Sequence, residues 1–318
     1  MNEPLLRVRD LSVAFGTYAA VNAVNFDLFA GETVGLVGES GSGKSTLARA
    51  ILRLLPARGS VEFLGTDLLK SSTAQLRARR RELQIVFQDP MASLDPRMRV
   101  GEAIAEPLQV FEPGVSAKDR RLQVAAMLER VGLRADMATR YPHELSGGQC
   151  QRIAIARAMI LNPKLLICDE AVSSLDVSIQ GQIVNLLQDL QQDTGMAMLF
   201  ISHNLAVVRQ VSHRVLVIYL GRLVEIAACE DLFAMPKHPY TRALLASVPQ
   251  LPAGGAGGFY AATAERWLSS HALTAGCAYR NRCPYVLPIC DTRPPLAEIS
   301  PGHWVACQRS HETLNPLS

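Results

Sequence analysis

The stretch Gly38-Glu39-Ser40-Gly41-Ser42-Gly43-Lys44-Ser45-Thr46 constrains this chain more than any other. It fits the pattern G-x-x-x-x-G-K-[ST], and its flanks agree with it. "ETVGLV" at 32–37 is a short apolar run that reads as a strand, and "KSTLARAILRLL" from Lys44 onward has helical apolar spacing. A strand, a glycine turn and a helix in that order curl successive backbone N–H groups into an anion nest, to which the helix adds its positive end. Lys44 is expected to reach the β- and γ-phosphates of a nucleotide, and the Ser45 hydroxyl to ligate its magnesium. The plain alternative is a glycine turn with no ligand.

A magnesium nucleotide needs a carboxylate at the end of a neighbouring strand. "LLICDE" at 165–170 supplies Asp169 and Glu170 after four apolar residues. Adjacent residues at a strand end point to different sides, so Asp169 suits the metal's water shell and Glu170 an attacking water. "LSGGQCQ" at 145–151 is a second glycine turn opening a helix. Ser146 is expected to cap that helix, with Gly147 and Gly148 leaving the backbone bare beside the positive helix end. This turn has no lysine, which fits a site completing a phosphate cage from outside. A simple serine-capped helix is the alternative.

Apolar runs at 83–88, 165, 198 and 215 alternate with helical stretches, which predicts a mainly parallel sheet covered on both faces. "GSVEFLGTDLL" at 59–69 reads as a hairpin turning at Gly65, and about 90–160 reads as helical. Composition shifts after "SVPQLP" to "AGGAGG" at 253–258, a linker, so the boundary is set near Leu251. A net charge of +3 is too small to argue for nucleic acid, and the run Arg77 to Arg81 reads as a solvated helix face. "VLVIYLGRLVEIAA" is broken by Arg222 and Glu225, so no stretch spans a bilayer, and the start lacks a secretory apolar region. The chain is therefore expected in the cytosol with its seven cysteines reduced.

"LSGGQ" just upstream of "LLICDE", with the glycine-lysine turn before both, resembles the signature of ATP-binding cassette (ABC) proteins over roughly residues 5–250. The resemblance implies an α/β fold: a P-loop ABC ATPase cassette with a RecA-like core, an antiparallel β subdomain and a helical subdomain at about 90–160. That cassette would occupy 1–250, and 251–318 would be the linker and a small cysteine-bearing C-terminal extension. In the family two cassettes pair head to tail, so Ser146, Gly147, Gly148 and Gln149 would serve the ATP held by another subunit's P-loop. Gln88 resembles the glutamine that touches magnesium and attacking water and links the site to a membrane partner. His203 in "LFISHN" resembles the histidine at the γ-phosphate, and Asp176 in "SSLD" the aspartate that crosses the dimer interface. Phe15 in "VAFG" resembles the aromatic under adenine, with Tyr18 as a substitute. Glu170, His203, Lys44 and Gln88 are thus the catalytic set, and Ser45, Gln88 and Asp169 the magnesium set. Ala171-Val172 stands where most cassettes have Pro-Thr, and Cys150 where a polar residue usually follows the signature. Neither change removes a phosphate ligand.

"YPHELSGGQ", "HPYTRALLASVP" at 238–249 and the cysteines of the tail resemble the dipeptide, oligopeptide and nickel importer ATPases of bacteria. That narrower likeness implies ATP hydrolysis at the cytoplasmic face of the inner membrane. Its implied partners are two transmembrane permease subunits, a second cassette of the same or a different chain and, indirectly, an external solute-binding protein. Nucleic acid is not among them. Cys277, Cys283, Cys290 and Cys307 are separated by five, six and sixteen residues, wider than structural zinc spacing. Four thiols in a proline-rich, core-poor segment nevertheless suit a metal staple, and Pro284 follows Cys283 as in iron–sulfur loops. The resemblance implies a [4Fe–4S] cluster there, with zinc or plain reduced thiols as alternatives. A soluble ABC ATPase acting on ribosomes or DNA is the rival function; such proteins usually carry two cassettes or a long inserted arm.

Overall fold

Residues 3–173, 175–247, 276–310 and 312 are described by a computed structural model. Its strands are β1 (Leu6–Phe15), β2 (Tyr18–Leu28), β3 (Thr33–Val37), β4 (Arg58–Phe63), β5 (Thr66–Asp67) and β6 (Leu83–Val86). They continue with β7 (Leu165–Asp169), β8 (Ala197–Ile201), β9 (Arg214–Tyr219), β10 (Arg222–Ala228), β11 (Ala297–Ser300) and β12 (His303–Val305). The chain divides into two units, one built mainly of 27–33 and 62–202, the other of 7–26, 34–61 and 203–318.

In the first unit β6, β7 and β8 run parallel, with Leu83 opposite Leu165 and Asp169 opposite Ile201. Every residue of β7 and β8 is buried, as expected for parallel strands covered on both faces. Between β6 and β7 lie the helices Pro90–Ser93, Val100–Phe111, Ala117–Arg130 and Gly147–Met159, the helical region expected at 90–160. Ser116 starts the third by accepting the Asp119 N–H, and Val124, Met127 and Leu128 face inward at helical spacing. The end of β4 pairs with β5 in the expected hairpin, Glu62 opposite Asp67. The arginine run lies on the helix Thr73–Arg80 and beyond; Arg77, Arg80 and Arg81 are exposed, while half-buried Arg79 bonds Thr66 Oγ1 and Glu82.

In the second unit β3 and β9 are parallel, Val34 opposite Arg214 and Val37 opposite Val217. From β9 outward the direction alternates: β10 pairs antiparallel with β9, β12 with β10, and β11 with β12. The mainly parallel sheet expected from the strand and helix alternation is therefore mixed at this edge, because β10 turns straight back on β9 and short strands of the C-terminal segment then add to β10. The linker at 253–258 and the boundary near Leu251 lie outside the described residues. Among the described residues no helix is long and apolar enough to cross a membrane.

Candidate functional site

The glycine-lysine turn leaves β3 and enters the helix Lys44–Ile51, whose N-cap Gly43 has φ +103° and offers no side-chain cap. A Cβ on Gly43 would stand 2.3 Å from the Ala20 carbonyl oxygen, and one on Gly38 2.3 Å from that of Ile218. Only glycine passes at either position. Lys44 is 4 % exposed, and its Nζ donates to the carbonyls of Gly38 and Glu39, 2.9 Å each. A buried ammonium requires such acceptors. Ser42 Oγ is buried with no partner among the described residues, an orphan hydroxyl inside the turn. Ser40 and Gly41 are exposed, and Ser45 and Thr46 are half-buried. The turn thus combines a buried cation, an orphan hydroxyl and an uncapped helix start, a donor set that fits a polyphosphate.

Glu39 is held from two sides. Its N–H donates to Tyr240 Oη at 2.9 Å, and its carboxylate accepts both arms of the Arg282 guanidinium at 2.8 and 2.9 Å. Phe15 and Tyr18, 52 % and 36 % exposed, end β1 and begin β2.

At the end of β7, Asp169 is 1 % exposed whereas Glu170 is half-buried. Glu170 has φ +50°, a left-handed conformation that costs a non-glycine residue about 1 kcal/mol. It is kept there by its N–H on the Ile201 carbonyl and by its own carbonyl accepting Ser173 Oγ. The two carboxylates consequently occupy different surroundings, as the sequence implied. Gln88 lies two residues past the end of β6, and its amide donates to Glu170 Oε2 at 3.1 Å.

Ser146 caps the helix Gly147–Met159, accepting the Gln149 N–H, and Gln149 Oε1 accepts the Ser146 N–H in return. That reciprocal box was readable as S-x-x-Q but was not foreseen. Ser146 and Gly147 are exposed. Asp176 precedes the helix Val177–Thr194, is exposed and makes no side-chain cap bond; Val177 is 85 % exposed. His203 stands exposed just after β8.

Cys277, Cys283, Cys290 and Cys307 line one cavity of about 10 Å³ together with His238, Pro239 and Tyr279. That volume holds about one water. Burial pushes the Cys277 and Cys283 thiols up, and that of Cys307 up to about 11. Among the described residues no group of three or more His, Cys, Asp or Glu stands at metal-holding spacing. The donor set suits a soft metal or cluster, whose positive charge would offset the cost of ionising buried thiols. The thiols share a cavity without forming a finished coordination shell. Cys150, Cys168 and Cys229 are buried and unbridged.

A family model described as "ABC transporter" matches residues 21–173, and one described as "Oligopeptide/dipeptide transporter, C-terminal region" matches 224–290. The oligopeptide transport ATP-binding protein OppF of Salmonella typhimurium is 48 % identical, with 95 % of each chain covered. A putative peptide import ATP-binding protein of Brucella ovis is also 48 % identical, over 97 % of this chain and 98 % of its own. Among solved structures, the dimeric post-hydrolysis state of the ATP-binding cassette MJ0796 bound to ADP and Pi is similar with a TM-score of 0.65 and 28 % identity. That likeness covers 70 % of this chain and 98 % of the other.

Proposed function

The chain belongs to the ATP-binding subunits of the peptide, oligopeptide and nickel importer family of ABC transporters, and from that premise we propose how its residues divide the work. It is the ATP-binding and ATP-hydrolysing subunit of a bacterial peptide importer, working against the cytoplasmic face of the membrane. The backbone of 38–46, with Lys44, takes the β- and γ-phosphates, and Phe15, or Tyr18 in its place, offers its face to adenine. Ser45, Asp169 and Gln88 are the residues that would hold magnesium, which when bound offsets the charge of the phosphates. Glu170 draws the proton from the attacking water while Gln88 orients it, and His203 contacts the γ-phosphate.

The observation that supports this division best is the Glu170 carboxylate, turned out of β7 at φ +50° and gripped by Gln88, beside a buried Asp169. The signature turn, Ser146 to Gln149, carries no cation. It would cap the γ-phosphate held by a second cassette, of this or another chain, with exposed Asp176 crossing the interface between them.

A groove of about 260 Å³ beside Gln88 is lined by Phe87, Val110, Phe111 and Arg157. Phe87 and Val110 are 36 % and 43 % exposed, and Arg157 bonds Glu106 and the Ser93 carbonyl at its margin. An apolar floor with a polar margin suits a short cytoplasmic helix of a transmembrane permease subunit. The four thiols of the tail would hold a [4Fe–4S] cluster, a reading supported by four sulfur donors converging on one cavity, which at about 10 Å³ must open to admit it. Anaerobic purification with iron and sulfide analysis is expected to find both; zinc alone, or no metal, would overturn it.

The test of the whole reading is a mild-detergent pull-down of the chain from its native membranes. Two polytopic membrane proteins, with or without a second cassette, are expected. Ribosomal or DNA-bound partners without membrane proteins would leave only the ATPase chemistry.

A further inference from the structure

A carboxylate inside a phosphate-binding turn is an electrostatic liability, since a nucleotide brings several negative charges to the same loop. Glu39 is such a carboxylate, and its charge is matched from 243 positions further along the chain. We propose that the cysteine-bearing extension, together with the "HPYT" helix before it, sets the affinity of the phosphate loop, with Arg282 and Tyr240 acting as positioning residues through Glu39. This rests on the reading that residues 38–46 bind ATP.

The Arg282 fork is bidentate, the geometry in which guanidinium and carboxylate pair most strongly. Its orientation is fixed by neighbouring rings, because the guanidinium carbon lies 5.9 Å from the ring centre of Tyr219 and 5.7 Å from that of Tyr279. Tyr240 belongs to the same aromatic cluster, 4.5 Å from Tyr219 and 5.5 Å from Tyr279 between ring centres. It is 1 % exposed, and its hydroxyl takes the Glu39 N–H. Both the main chain and the side chain of Glu39 are therefore tethered. The Glu39 carbonyl is in turn one of the two acceptors of Lys44, so a shift of Glu39 moves the seat of the lysine.

The Tyr240 tether is itself seated on β10, which β12 of the C-terminal extension braces. His238 Nδ1 accepts the Tyr240 N–H, and the N–H groups of Lys237 and His238 donate to Glu225. Glu225 is fully buried in β10 and pairs at 2.8 Å with His303 of β12. Arg282 immediately precedes Cys283, and His238 and Pro239 line the cavity of the four thiols. Whatever the thiols hold consequently bears on both tethers.

The test measures ATP affinity of the full-length purified protein by equilibrium binding, with thermal melting recorded for every variant. Arg282→Gln is expected to weaken binding about tenfold, the effect of one uncompensated charge near the polyphosphate. The loss should shrink as salt is raised, since the excess charge is partly exposed. Adding Glu39→Gln to Arg282→Gln should recover most of the affinity. Arg282→Lys, which keeps the charge but not the fork, should lose about threefold, and Tyr240→Phe about as much. Parental affinity in Arg282→Gln overturns the inference alone. An equal, salt-independent loss in Arg282→Gln and in the double variant also overturns it, because that pattern belongs to a merely structural arginine. Failure of the unaltered protein to bind ATP overturns the phosphate-loop reading, and the inference with it.

Discussion

Two glycine turns in this chain open helices by the same local physics and are wired oppositely. The turn at 38–46 closes on a lysine that is 4 % exposed, at positions where a single Cβ would collide with backbone, and Tyr240 and Arg282 stand behind it. The turn at 145–149 is capped by its own serine and glutamine, exposes Ser146 and Gly147, and has no cation. Helix dipole and bare N–H groups are common to both. On the proposed division of work, a self-sufficient phosphate site would therefore differ from a half-site in the buried cation and the tethers behind the turn, while the glycines are shared.

Removing the cation should erase that difference. Lys44→Ala is expected to lower ATP turnover about 10³-fold and to weaken binding as well, in a phosphate-release assay paired with equilibrium binding. Turnover near the parental rate would mean that the first turn is no more a phosphate site than the second.

Glu170→Gln separates chemistry from binding. Turnover should fall by about 10²-fold or more while ATP affinity holds and a closed dimer accumulates on size exclusion. A parental rate would place the base elsewhere.

Ser146→Ala addresses the half-site directly. Turnover should drop about tenfold at concentrations where cassettes pair, while ATP affinity of the dilute single chain stays at its parental value. The lost cap costs about 1 kcal/mol of helix stability, which melting will register separately. Weakened ATP binding by the dilute chain would show that the turn serves its own nucleotide and that the contrast between the turns is false.

Much of this machinery was legible because it is local. Gly38 to Thr46, the strand ending in Asp169 and the Ser146 cap each occupy fewer than about ten consecutive residues, and short patterns carry their own geometry. The supports behind the first turn were not legible, because they join distant positions. Glu225 shows in the sequence only as a break in an apolar run, yet it is fully buried, paired with His303 and two backbone N–H groups. Arg282 lies in a proline-punctuated tail with nothing nearby to announce that its partner is Glu39. β11 and β12, of four and three residues, are too short to show a period, so their addition to β10 appears only in three dimensions. The "HPY" stretch was recognised by resemblance, and the structure supplies its physical meaning: a histidine cap that seats Tyr240.

The smallest expected effect concerns that histidine and should touch the first turn alone. His238 is 1 % exposed, and burial, outweighing the attraction of Glu225, lowers its pKa from 6.5 to about 4. Its Nδ1 accepts the Tyr240 N–H, so the proton of the neutral ring is on Nε2, and protonating Nδ1 would abolish the cap. Because the folded value lies below the unfolded one, the unfolded chain takes up the proton first. Stability present above about pH 6.5 is thus lost progressively as pH falls toward 4, by about 1 kcal/mol at pH 5.5. For a domain of this size that is a decrease of about 2–4 °C in Tm. His238→Asn keeps an N-cap acceptor without a titrating ring, and its Tm should fall less steeply over the same interval. If the two proteins melt in parallel from pH 7.5 to 5, His238 does not titrate on unfolding and the seat of Tyr240 is indifferent to acid. If they diverge while Ser146→Ala tracks the unaltered chain, the acid-sensitive support belongs to the lysine-bearing turn and has no counterpart behind the other.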